Sequence, residues 1–197
     1  DAVVCLFAGD DPQRCESADD AGGFIFEDVD PNAAGVLAVS AVNRVSTHMA
    51  INTESGAVIH QQLTPANAPR VMLPSAPDAT AHGSLVITAY DAATVIDGDY
   101  GSATPQDGVS FSIFPGAGLG PYYQLEPGFY SPDVAATYGS GEALVYGLPE
   151  GTYTARFDHP WGPCTPGYGH AYNAESRTFT FKVMAGVETH LIGDCAV

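Results

Sequence analysis

Thr178-Phe179-Thr180-Phe181-Lys182-Val183 decides the fold: Phe179, Phe181 and Val183 fall on one face of an extended strand, and three polar side chains fall on the other. The same two-residue period runs through Val109-Ser110-Phe111-Ser112-Ile113, and through Thr152 to Phe157, where Tyr153, Ala155 and Phe157 point together. Leu85 to Tyr90 is apolar on both faces, as expected of a strand covered on both sides. Val3 to Phe7, Phe24 to Glu27, Val36 to Val42, His48 to Asn52 and Ala57 to Leu63 also read as strands, with Thr53 to Gly56 as a hairpin turn. No stretch keeps a 3.6-residue period over three turns. The chain is expected to be all-β.

Composition agrees. The 197 residues include 22 glycines and 15 prolines without a triplet repeat, which suits short strands joined by tight turns. Pro65, Pro69, Pro74 and Pro77 crowd Thr64 to Gly83, a density that central strands do not tolerate. This stretch is expected to connect two sandwich domains, 1–76 and 77–197, with Val71 to Leu73 as a last edge strand before it. No apolar run approaches the length of a bilayer crossing.

Charge is the most lopsided property. Six basic against 23 acidic residues give a formal net charge of −17, and Lys182 is the single lysine. Such a surface repels phosphate backbones and anionic membranes, so neither nucleic acid nor membrane insertion is expected. Asp10-Asp11 and Asp19-Asp20 admit calcium on charge alone, but the spaced Asp-x-Asp-x-Asp-Gly loop is missing. No other cofactor is expected.

Cys5, Cys15, Cys164 and Cys195 lack Cys-x-x-Cys spacing and read as two disulfides of a secreted or cell-surface protein. Three pairings exist. Cys5–Cys15 with Cys164–Cys195 is preferred, because each bond then staples one end of the chain. The second bond closes about 30 residues, worth about 3 kcal/mol in the loop-entropy picture. Asp1 directly precedes a strand-like run, so the sequence reads as a mature or trimmed form.

The two halves repeat each other in two segments. Asp1 to Phe7 matches Asp107 to Ile113, and Gly22 to Val29 matches Gly141 to Leu148. The second half goes further. Asp107 to Phe114, Gly139 to Phe157 with its Leu148-Pro149-Glu150-Gly151 turn, and Phe181 to Thr189 together resemble carboxypeptidase regulatory-like domains. Those domains share the transthyretin-like (prealbumin-like) sandwich with collagen-adhesin B-type repeats. The resemblance implies two tandem Ig-like/transthyretin-like sandwiches used as spacers, adhesins or accessory modules. It also implies that the first half lacks its opening strand, since nothing equivalent to Leu85–Tyr90 precedes Val3. An open sheet edge invites a strand from a neighbouring subunit. Some adhesin-type relatives carry Lys–Asn isopeptide bonds, but the period-2 position of Lys182 puts it on the solvent face, so that crosslink is not expected.

The expected function is therefore a non-catalytic structural or adhesive protein, a candidate subunit of a surface filament completed by strand donation. Its expected partners are other subunits, cell-surface components or glycans. Tyr122, Tyr123, Tyr130, Trp161, Tyr168 and Tyr172 sit in loop-like stretches and are the candidate ligand contacts, because Tyr and Trp give large contact area at low rotamer cost. One alternative is a carbohydrate-binding accessory module. Another is a metal-dependent enzyme on the same sandwich, for which His159 and His170 beside Tyr168 and Tyr172 are the candidate ligands. Ser140 in Gly139-Ser140-Gly141 lacks the strand-to-helix setting of a nucleophile elbow.

Overall fold

A computed structural model describes residues 2–8, 13–30, 33–53, 78, 80–167 and 171–196. The fold is all-β, with sandwich-like sheets. In the first half, β1 (Ala2–Ala8), β2 (Arg14–Ser17), β3 (Ala33–Ala41) and β4 (Ser46–Thr53) are followed, beyond residue 80, by β5 (Gly83–Asp91). Then come β6 (Ser110–Phe114), β7 (Leu119–Glu126), β8 (Phe129–Ser131), β9 (Glu142–Leu148) and β10 (Gly151–Asp158). The chain closes with β11 (Cys164–Pro166), β12 (Ala171–Asn173), β13 (Thr178–Val183) and β14 (Val187–Cys195).

Two sheets form. The larger runs β2-β1-β3-β4-β14-β5-β9-β7-β8, with β11 on the end of β14; the smaller runs β12-β13-β10-β6. The last strand is the keystone. β14 lies parallel to β4 on one side, from Val187 against Ser46 to His190 against Met49. On its other side it lies parallel to β5, from Glu188 against Ser84 to Cys195 against Asp91. One uninterrupted ladder therefore crosses from the first half of the chain to the second.

Alternation along β14 explains how one strand serves two cores. Leu191 and Cys195 face the sandwich core, which the smaller sheet closes with Phe157, Phe179, Phe181 and Val183. Ile192 faces the other way, into a second core with Val4, Leu6, Leu37, Val39, Met49 and Ile51. Phe24, Phe26, Val29, Val95 and Ala103 pack on that second core. The two cores thus occupy opposite faces of the same sheet. Leu85, Ile87, Leu144 and Leu191 are all essentially inaccessible to solvent.

Most strand expectations match the observed elements. Phe24 to Glu27 does not: it is irregular, and its two phenylalanines meet edge to face at 5.9 Å as a lid on the second core. Its match to Gly141–Leu148 therefore ends at the sequence, since that segment is β9. The stretch that carries Tyr122, Tyr123 and Tyr130, expected to be loop-like, instead forms β7 and β8. The segments Ala57 to Leu63 and Val71 to Leu73, the Thr53–Gly56 turn from residue 54 onward, and most of the Pro-rich connection lie outside the described residues. No described helix is long and apolar enough to cross a membrane.

Candidate ligand-contact rim

The preferred disulfides are the ones that form. Cys5–Cys15 joins β1 to β2, directly opposite in register. Cys164–Cys195 joins β11 to the end of β14, with both cysteines buried. The second bond pins one end of the sandwich, where β5, β10 and β14 finish and β6 and β9 begin.

Three loops converge at this end. Residues 105–109 are tied to the edge of β5, with Gln106 N donating to the Ala89 carbonyl at 2.8 Å. Residues 137–141 meet them: Gly108 N donates to the Thr137 carbonyl at 2.9 Å, and Gly139 N donates to Asp107 Oδ1 at 2.6 Å. Gly141 then carries the chain into β9 with a φ of +66°, and a Cβ there would lie 2.3 Å from the Ala89 carbonyl oxygen. Only glycine fits that turn.

The third loop, 158–163, carries Trp161. Its indole is 79% exposed and meets the His159 ring edge to face, with centroids 5.5 Å apart. His159 in turn reaches the first loop, its Nε2 lying 3.4 Å from the Gln106 amide nitrogen. Arg156 Nε donates to Asp158 Oδ2 at 2.8 Å at the base of the loop. Gly162 is pressed against the C-terminal strand's exit, leaving no room for a side chain beside the Ala196 carbonyl oxygen. Ala196 N donates to the Pro163 carbonyl at 3.1 Å, and Asp158 pairs with Pro163. Tyr138, 61% exposed, belongs to the second loop. The rim therefore collects Gln106, Asp107, Tyr138, His159 and Trp161. Sequence reading singled out Trp161 and His159; spacing could not bring Asp107 and Tyr138 to them, because only the sheet order does.

The other candidate aromatics fall elsewhere. Tyr123 is a correction: its ring is in the core, stacked on Phe111 at 5.8 Å, and its hydroxyl accepts from Phe111 N at 3.0 Å. Burial pushes that phenol's pKa up, and the backbone bond opposes the shift. Tyr172 packs half-buried on Phe179 at 5.4 Å. Tyr122 and Tyr130 lie on the opposite face of the large sheet, with Tyr146, around Val86 and Leu144. There Gln124 Nε2 donates to the Tyr130 hydroxyl at 3.1 Å and to Glu142 Oε1 at 3.2 Å, and the Tyr130 hydroxyl donates to Glu142 Oε1. The Gln124 amide and the Tyr130 hydroxyl are thus engaged with Glu142 and with each other. Tyr168 and His170 lie outside the described residues.

Of the acidic pairs, Asp19 Oδ1 accepts from Ala21 N and Gly23 N at 2.9 and 2.7 Å, a turn-forming role. Asp10-Asp11 lie outside the described residues. Among the described residues, no three His, Cys, Asp or Glu side chains converge as metal ligands. Lys182 is exposed on β13, as its alternation predicts.

No protein-family model matches this chain, and no curated protein does. Among solved structures it is similar to GBS52, the minor pilin of Streptococcus agalactiae, at 13% identity over all of this chain and 83% of that one, with a TM-score of 0.32. It is also similar to the Bacillus anthracis TIE protein, at 18% identity over 99% of this chain and 30% of that one, again with a TM-score of 0.32. At these scores the likenesses define neither a shared fold nor a function.

Proposed function

We propose that this chain is an extracellular, non-catalytic structural or adhesive protein that works by surface contact. The observation that supports this most is the Cys164–Cys195 bond. It locks the end of the strand that joins both halves of the large sheet, in a chain whose four cysteines are all paired. Buried structural disulfides belong to oxidising compartments, and they hold a small sandwich rigid at its binding end. A charge of −17 keeps such a body soluble and directs it away from polyanions.

The test is protease shaving and thiol labelling of intact source cells, with adhesion of the purified protein to the same cells measured alongside. The protein is expected at the surface or in the medium, fully oxidised and adherent. A cytosolic pool with free thiols, or no adhesion, contradicts the proposal.

Assembly through strand addition is the finer form of this reading. The β4 edge is filled by β14 of the same chain, so the outer edge among the described first-half strands is β2, four residues long. A neighbour's strand would add there. Sedimentation velocity is expected to show species larger than 20.4 kDa that grow with concentration. A single monomer at every concentration rejects assembly and leaves adhesion standing.

A further inference from the structure

We propose that the rim of residues 105–109, 137–141 and 158–163 binds a neutral polysaccharide, with Trp161 as the platform on which one pyranose ring stacks. The inference rests on the contact reading above and names its ligand.

Trp161 gives the fold almost no burial. With 79% of the residue left in water, Trp161 has forgone most of the transfer free energy that burial would give a large apolar side chain. Yet its position is fixed. The loop is held by the Asp158–Pro163 pairing, by Gly162 against Ala196, by the neighbouring disulfide and by the edge contact with His159. A rigid exposed aromatic loses little entropy when a ligand covers it.

The flanking groups fit a sugar. Asp107 uses Oδ1 to hold Gly139 and is itself exposed, so its carboxylate meets solvent beside the platform's loops. Gln106 and His159 are half-buried on the same rim, where Gln106 Nε2 donates to the Asp107 carbonyl and His159 meets Trp161 N through Nδ1 and Gln106 through Nε2. The second Asp107 carboxylate oxygen and the Gln106 side-chain carbonyl suit the adjacent hydroxyls of a pyranose, while its C–H face covers the indole.

Charge selects the class. A protein at −17 repels sulfated, phosphorylated and uronic-acid polymers. A cationic peptide meets the opposite sign overall and the exposed Asp107 carboxylate on the rim, although Asp158 at the loop's base is already paired with Arg156, so it is the competitor that the titration must exclude. An uncharged sugar escapes the repulsion that a polyanion meets.

Trp161 is the sole tryptophan, so its emission reports occupancy directly. The intact protein would be titrated with cellohexaose, chitohexaose, mannohexaose and a decalysine peptide at physiological salt. A saturable blue shift is expected with at least one of the three neutral oligosaccharides. Calorimetry with that sugar is expected to show Trp161→Ala losing about tenfold or more, as for a central aromatic anchor. Trp161→Phe is expected to keep most of the affinity, and Phe129→Ala, on the far strand β8, all of it. Circular dichroism checks that each variant folds. No saturable shift with any of the three sugars, saturation by decalysine alone, or unchanged affinity in Trp161→Ala overturns the inference. Adhesion to source cells is measured in parallel: if Trp161→Ala adheres like wild type, the sugar assignment falls and the contact reading survives.

Discussion

Gly193 faces the sandwich core at its tightest point on β14. It lies on β14, and a Cβ there would stand 2.2 Å from the Phe157 ring, which must occupy that space to reach Phe179 at 4.3 Å. Gly193→Ala is therefore expected to destabilise the protein by about 1–3 kcal/mol, the usual range for overpacking, read as a lowered urea midpoint. One residue on, Asp194 faces the other core and accepts a 2.7 Å bond from the Tyr100 hydroxyl. Burial pushes its carboxyl up, and the tyrosine bond only partly opposes this. A raised folded value means the native state holds the proton more tightly than the unfolded chain. Its stabilising effect is complete below the ordinary carboxylate range, near pH 4, and fades as pH rises through the raised value. Asp194→Asn is expected to gain stability at pH 7 and little at pH 3, checked by urea unfolding at both. His48 acts in the opposite sense, because burial lowers its pKa, so its contribution fades as pH falls below the ordinary histidine range. None of this was legible in sequence: a Gly-Asp pair near a chain end reads as a turn until the strand's two faces are known.

At the scale of elements, legibility followed periodicity. The strands with strict alternation, β6, β10 and β13, announce themselves, and β5 is recognisable by its unbroken apolar run. β7 was hidden because Gly120-Pro121 interrupts it and its register slips against both β8 and β9. The strand does a specific job: Tyr123 from β7 satisfies Phe111 N of β6, and just before β6 Thr137 satisfies Val109 N at 2.9 Å, so both amides have partners although β6 is the edge of its sheet. Capping an edge this way blunts unwanted pairing. The cysteines were legible as two local staples, and their burial separates their behaviour. Cys15 is exposed while Cys164 and Cys195 are buried. Limited phosphine reduction of the native protein, followed by alkylation and mass spectrometry, is expected to open Cys5–Cys15 first. Simultaneous opening of both bonds contradicts the burial. Replacing Cys164 and Cys195 together by serine is expected to lower stability by about 3–4 kcal/mol for a loop of this length. Hydrogen exchange should rise along β14 and along both strands beside it.

For the whole molecule, the sequence conveyed the class and left the assembly open. Alternation and the cysteine count lead to an all-β, disulfide-bonded chain. They contain nothing about which distant strands pair, and the parallel β4–β14–β5 triplet joins residues separated by most of the chain. The rim shares that origin, since its three loops are neighbours only because β5, β10 and β14 end together. Glu188, 0% exposed, and His190, bonded at 2.8 Å, sit on β14 inside this seam, so the joint between the halves contains an acid–base pair. The most direct test is nuclear Overhauser spectroscopy on isotope-labelled protein. Cross-strand contacts are expected from the β14 backbone to both neighbours, with His190 close to Met49 and to Val86. Contacts from β14 to β5 alone, with none to β4, would contradict this pairing.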